Sequence, residues 1–175
     1  MQMAEIALMS AVLCVIAPVA VPLPFSPVPL TLATLAVYLA AAVLGPKKGA
    51  ISVLIYLLMG MAGLPVFSGF SGGIGRLAGP TGGYIIGYIP CAVLAGWMLQ
   101  YHQQRLAWNM TAMLLGTLVC YGFGTVWFLI IMEETYTLFQ ALVICVMPYL
   151  VFDVIKIVAA SALAVPIRKI LRRIE

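Results

Sequence analysis

GLPVFSGFSGGIGRLAGPTGGYIIGY, residues 63–88, is the stretch around which the chain is organised. It carries a large share of the 16 glycines, several serine and threonine hydroxyls and one arginine, Arg76, while almost everything on either side of it is apolar. No apolar run inside it is long enough to span a bilayer. It reads as a ligand loop held between membrane helices, because glycines let a backbone adopt positive φ and approach a bound molecule closely. A plain hairpin between two helices is the competing reading, although long ordered loops are more often functional.

Outward from that loop, composition sets the class. Of the 175 residues, 65% are hydrophobic and 8% charged, with a mean hydropathy of +1.16. A soluble domain of this size has no core large enough to hide so much apolar surface. The chain is therefore expected to be an all-α integral membrane protein, one domain over residues 1–175, without internal repeats. The first apolar run carries Glu5 where a signal peptide would have basic residues, and no small-residue cleavage site precedes Pro22. It is expected to stay as a helix.

A helix needs about 17–25 apolar residues to cross a hydrocarbon core of ~30 Å. On that measure the spans are residues 6–21, 30–44, 50–61, 82–99 and 110–131, with a last apolar stretch over 138–165. Pro22, Pro24, Pro27 and Pro29 punctuate the first exit, and Gly45-Pro46-Lys47-Lys48-Gly49 makes a turn between the second and third spans. As one helix the last stretch would cover about 42 Å, too long for an upright span. Pro148 resolves this, since proline is tolerated in the first turn of a helix and disruptive in its interior. The expectation is a short helix at 138–146 and a sixth span over 148–171, which places Asp153 and Lys156 one or two turns from a helix start.

Positive side chains near span ends favour the cytoplasm. With six alternating spans and an inside N-terminus, Lys47, Lys48, Arg105, Arg168, Lys169, Arg172 and Arg173 fall on one side, seven of the nine basic residues. Glu133 and Glu134 fall on the other. Both termini are thus expected in the cytoplasm, with the glycine-rich loop, the proline-rich loop 22–29 and the start of the sixth span together on the outer face. This bias and anionic lipid headgroups account for the net charge of +4, which is no argument for nucleic acid.

Ionisable groups within a membrane span are costly and are usually paired or functional. Asp153 and Lys156 are three apart, on one helix face, and can neutralise each other. The same pair can greet a polar ligand, the carboxylate accepting from N–H groups and the ammonium holding a carbonyl or carboxylate oxygen. Arg76 can hold a carboxylate from the loop or snorkel to lipid phosphate; both readings stand.

GPTGGY at residues 79–84, the preceding GLPVFSG and SGG segments, PVPLT at 27–31, GPKKGAISV at 45–53 and the D-x-x-K of Asp153 and Lys156 together resemble the BioY family. Its members are the biotin-binding S components of energy-coupling factor (ECF) transporters. The resemblance spans essentially the whole chain. It implies a six-helix S-component fold that captures biotin at the outer face of a prokaryotic cell membrane. It implies as partners an ECF transmembrane coupling protein and two cytoplasmic ATPase subunits, and a toppling motion that releases the vitamin inside. By this resemblance Asp153 and Lys156 carry polar recognition, and Ser71, Gly72, Gly73 and Tyr84 contribute from the loop and the head of the fourth span. Biotin offers an apolar thiophane and valeryl chain, a ureido group and a carboxylate, which suits an apolar pocket with few polar groups. Two positions depart from the family pattern: Ala33 stands where a glutamine is frequent, and Val151-Phe152 where a Pro-Gly precedes the aspartate. Neither disturbs the D-x-x-K spacing.

Ala7 and Ala11 form a small-xxx-small face on the first span that permits close helix approach. It resembles the surface on which S components dock the coupling protein, and packing inside the bundle is the alternative. Gly83 and Gly87 make a similar face on the fourth span, expected to be used within the bundle. GPTGG is followed by no Lys-Ser or Lys-Thr as a phosphate loop requires, so ATP falls to the partner chains and no cofactor is expected. His102 reads as a solvated loop residue. Cys14, Cys91, Cys120 and Cys145 lack CxxC spacing and read as structural thiols, with no metal site. Trp108 and Tyr136 sit where interfacial anchors do; the other aromatics and the methionines read mostly as lipid-facing or core. An S component for another vitamin is the nearest rival. An intramembrane enzyme using Asp153 is the more distant one, because no second carboxylate, histidine or nucleophile accompanies it in its span; no catalytic residue is expected.

Overall fold

The computed structural model describes residues 2–24, 26–101, 105–132 and 135–174, with only the backbone of Lys169 and of residues 171–174. In chain order its elements are α1 (Gln2–Ile16), β1 (Ala20–Val21), β2 (Leu30–Thr31), α2 (Ala33–Met61), α3 (Ile74–Ala78), α4 (Gly82–Leu99), α5 (Leu106–Ile131), α6 (Leu138–Cys145) and α7 (Met147–Ile174). Four of these, α2, α4, α5 and the part of α7 up to Arg168, are long and apolar enough to cross a membrane, and α1 is a shorter apolar helix.

Local chemistry explains where the elements depart from expectation. The first helix ends at Ile16 rather than near residue 21, because Pro18 has no N–H to continue the ladder and biases Ala17 away from helix. The proline-rich loop is closed at its base by a two-residue antiparallel ribbon, Ala20 opposite Thr31 and Val21 opposite Leu30. That ribbon and an isolated antiparallel bridge between Phe67 and Ser71 amend an all-α reading. Between the second and third expected spans only Gly45 leaves helical conformation, at φ 77° and ψ −174°. Pro46 to Gly49 are helical, with Pro46 in the first turn, where its missing N–H costs nothing. Residues 40 and 49 would stand about 13.5 Å apart in a straight helix, yet a Cβ on Gly49 would lie 2.9 Å from the Ala40 carbonyl oxygen. The chain therefore reverses at Gly45, and α2 consists of two packed halves.

The short helix before the last span forms as expected. Thr137 caps α6 by accepting from the Gln140 N–H while the Gln140 side chain accepts from the Thr137 N–H. After it Pro148 occupies the first turn of α7. Helix α4 is the most buried of the long spans, packed between α2 and α5. Its glycines make that possible: a Cβ on Gly83 would fall 2.1 Å from the Trp127 Cβ, and one on Gly87 would fall 3.2 Å from the Cys120 carbonyl oxygen. This small-residue face is used within the bundle, as expected.

The two ends of the bundle differ in kind. At one, Lys48 pairs with Glu5 at 2.8 Å, the Arg168 guanidinium donates to the Ala42 carbonyl, and the Trp108 indole N–H donates to the Met98 carbonyl at 2.8 Å. At the other, the Gly69 N–H donates to the Pro18 carbonyl at 3.0 Å. There too the Trp127 indole donates to Gly79 at 3.1 Å, and the Tyr149 hydroxyl donates to the Ser26 hydroxyl at 2.8 Å. The glycine-rich loop, the proline-rich loop and the start of α7 thus share one end. His102, Glu133 and Glu134 lie outside the described residues, as do the side chains of Lys169, Arg172 and Arg173.

Candidate functional site

That second end holds a cleft of about 560 Å³, counting its open mouth. Helix α7 supplies its polar centre. Because α7 begins at Met147, Tyr149, Asp153 and Lys156 follow at four- and three-residue spacing along one face, and all three line the cleft. Asp153 is 5% exposed and Lys156 8%, and their side chains meet at 2.8 Å. Two further helices reach this pair. Thr34, in the first turn of α2, accepts from the Lys156 ammonium at 3.2 Å and donates to Asp153 Oδ1 at 3.4 Å. Tyr121 of α5 donates to Asp153 Oδ2. Both charges are therefore paired and hydrogen-bonded, the condition under which charge is tolerated away from water.

Around the pair the lining is mixed. Val28, Pro29 and Ile85 give apolar wall, Thr31, Ser68 and Thr81 give hydroxyls, and Tyr84 and Tyr88 present aromatic rings from one face of α4. Cys120 and Cys145 also line it, as free thiols. Among the described lining residues Asp153 and Lys156 are the charged ones. An apolar cavity with a few convergent polar groups is the usual form of a small-molecule site.

The sequence-derived candidates separate into two groups. Asp153, Lys156 and Tyr84 line the cleft; Ser71, Gly72, Gly73 and Arg76 do not. These four fold the loop instead. The exposed Arg76 donates from Nε to the Ser71 hydroxyl at 2.8 Å, and Ser71 donates to the Ser68 carbonyl at 2.8 Å. A Cβ on Gly72 would sit 2.3 Å from the Leu64 carbonyl oxygen, and Gly73, at φ 94°, donates its N–H to Gly60 at 2.7 Å. What the loop offers to the cleft is Ser68, with Thr81 at its far end. Sequence reasoning missed Thr34 and, having read most aromatics as core or lipid-facing, Tyr88, Tyr121 and Tyr149. For the three tyrosines the available signal was the phenol, since a tyrosine deep in an apolar span needs a partner for its hydroxyl; Thr34 carried no such signal. Ala7 and Ala11 are exposed on α1, pointing away from the bundle rather than into it.

A helical membrane protein with an apolar-walled cleft headed by one buried ion pair is the class that fold and site define. The chain is similar to the S-component for biotin from an ECF-type ABC transporter, with a TM-score of 0.88 and 28% identity over 96% of this chain and 90% of that one. A family model described as the BioY family matches residues 1–173, and the chain belongs to that family. Among its relatives are the biotin transporter BioY of Thermotoga maritima, 36% identical over 85% of each chain, and the probable biotin transporter BioY of Pyrococcus horikoshii, 41% identical over 79% of each. The family and the structural neighbour are transporter S components, which are not enzymes.

Proposed function

We propose that this chain captures biotin at the outer face of a prokaryotic plasma membrane and delivers it inward as the substrate-binding subunit of an ATP-driven ECF transporter. The observation that carries the reading is the placement of the Asp153–Lys156 pair, buried in the lining of the cleft, in a chain whose structural neighbour is a biotin S-component. In this reading six helices cross the membrane: α1, the two halves of α2, α4, α5 and α7. Both termini lie in the cytoplasm, since Lys47, Lys48, Arg105 and Arg168 gather at the end opposite the cleft. Asp153 and Lys156 recognise a polar end of the ligand, Tyr84 packs against its apolar body, and the loop carrying Ser71, Gly72, Gly73 and Arg76 frames the mouth. The exposed Ala7 and Ala11 receive the transmembrane coupling protein, to which two cytoplasmic ATPases are attached. This chain holds no cofactor of its own, and ATP is used by those partners.

Calorimetric titration of biotin into the purified chain in detergent tests the reading, with desthiobiotin and other vitamins as competitors. Saturable, tight, one-to-one biotin binding is expected. Well-folded protein that ignores biotin and takes another vitamin overturns it. For the docking face, Ala11→Trp is expected to leave biotin binding intact while ATP-dependent uptake by the assembled transporter falls at least tenfold, because a bulky side chain on a small-residue face keeps helices apart.

A further inference from the structure

We infer that Tyr121 and Thr34 are positioning residues that fix how the Asp153–Lys156 pair meets its ligand, an inference that rests on the biotin reading above. An ionised carboxylate offers about four lone-pair sites and an ammonium three protons. Here Oδ1 of Asp153 accepts from Lys156 at 2.8 Å and from Thr34 at 3.4 Å, while Oδ2 accepts from Tyr121. Lys156 gives one proton to Asp153 and another to Thr34. By this count about one acceptor site, on Oδ2, and about one ammonium proton remain for a ligand.

The donors stand on three different helices, which is what gives them a positioning role. The terminal torsion of an aspartate is broad and roughly two-fold, so a carboxylate held by Lys156 alone swings about that contact. Thr34 on α2 fixes Oδ1 from one side, and Tyr121 on α5 fixes Oδ2 from the other. The open acceptor is thereby aimed into the cleft that all four side chains line. Thr34 also acts on the cation: by accepting from Lys156 at 3.2 Å, it fixes the ammonium in the wall of the same cleft. Preorganised polar groups of this kind reduce the ordering cost of binding.

The test uses the whole purified chain, with biotin calorimetry beside thermal unfolding of the unliganded protein. Tyr121→Phe removes one hydroxyl and keeps the ring; it is expected to weaken biotin binding about 10- to 100-fold, as loss of a hydrogen bond to a charged group does. Thr34→Val, whose bonds are longer, is expected to cost about 3- to 10-fold, and Thr34→Ser, which restores a hydroxyl, to stay within about twofold of wild type. Unliganded melting temperatures of all three should stay within about 2 °C of wild type, because water in the open cleft takes the place of the lost hydroxyl when no ligand is bound. The inference is overturned if Tyr121→Phe binds biotin as tightly as wild type or more tightly, which would make the phenol a placeholder that the ligand displaces. It is equally overturned if affinity falls only alongside unliganded stability, or if Thr34→Ser fails to rescue. Wild-type protein that binds no biotin sinks the underlying functional reading, a different result from a wild type that binds while the variants are silent.

Discussion

The glycine-rich segment between α2 and α4 and the first turns of α7 occupy the same end of the molecule, and both carry the polar residues from which a ligand site is expected. They contribute in opposite ways. Helix α7 delivers Tyr149, Asp153 and Lys156 to the cleft in one row, because a helix repeats its side-chain directions every three to four residues and holds them rigidly. The glycine-rich segment delivers Ser68 and Thr81. Its glycines serve its own folding, with Gly72 against the Leu64 carbonyl and Gly82 against that of Leu77. Glycine therefore marks close backbone approach, and at Gly72 and Gly82 the backbone approached is the segment's own.

Neutralising the α7 pair is the sharpest way to break this contrast. Removing one member leaves a buried charge alone and endangers the fold, so the informative variant replaces both: Asp153→Asn with Lys156→Met. Exchange of a buried ion pair for neutral groups is often close to neutral for stability. The double variant should therefore fold and melt near wild type while biotin affinity falls on the order of 1,000-fold, the product of two lost charge-assisted contacts. Calorimetry beside a melting curve reads both quantities. A folded double variant that still binds tightly would make the pair a structural feature and shift recognition to the loop.

The loop is expected to respond less, and first through stability. Gly72→Ala keeps an accessible backbone conformation but drives a methyl group to 2.3 Å from the Leu64 carbonyl oxygen. Overpacking of this kind costs about 1–3 kcal/mol. The loop is expected to open, seen as faster proteolysis between α2 and α4, with about a tenfold loss of affinity as Ser68 leaves its place. An affinity loss as large as that of the pair variant, with the loop still protected, would show that the backbone at Gly72 meets the ligand directly.

How much of the molecule is legible in its sequence follows the same division. Long apolar runs and Pro148 foretell α4, α5, α6 and α7 closely, because span length and proline chemistry are local. Asp153 and Lys156 stand out for the same reason: a charge in an apolar run is conspicuous from sequence alone. Thr34 and Tyr121 do not, since each is unremarkable in its own helix and gains meaning from a partner 119 or 32 residues away. That Ser68 rather than Ser71 lines the cleft is equally hidden, because it depends on the Phe67–Ser71 bridge that turns the loop back on itself. The end of α1 is misplaced for a simpler reason: Pro18 lies inside an apolar run, and hydropathy outweighs backbone chemistry.

Arg76 gives the finest test of the comparison. It is the one basic residue of the loop, and a ligand with a carboxylate makes it an attractive anchor. Yet it is exposed, and its Nε already donates to the Ser71 hydroxyl, a neutral acceptor. Water screens a guanidinium in that position, and exposed ion pairs contribute little. Arg76→Gln retains a donor at similar reach. Biotin affinity is expected to change by less than about threefold, with slightly slower association at low salt, where a lone positive charge near the mouth still attracts an anion. A loss of about thirtyfold or more would mean that the loop folds inward over bound ligand and carries Arg76 into contact with it. The glycine-rich segment would then join α7 as a direct part of the site, through movement away from the fold described above.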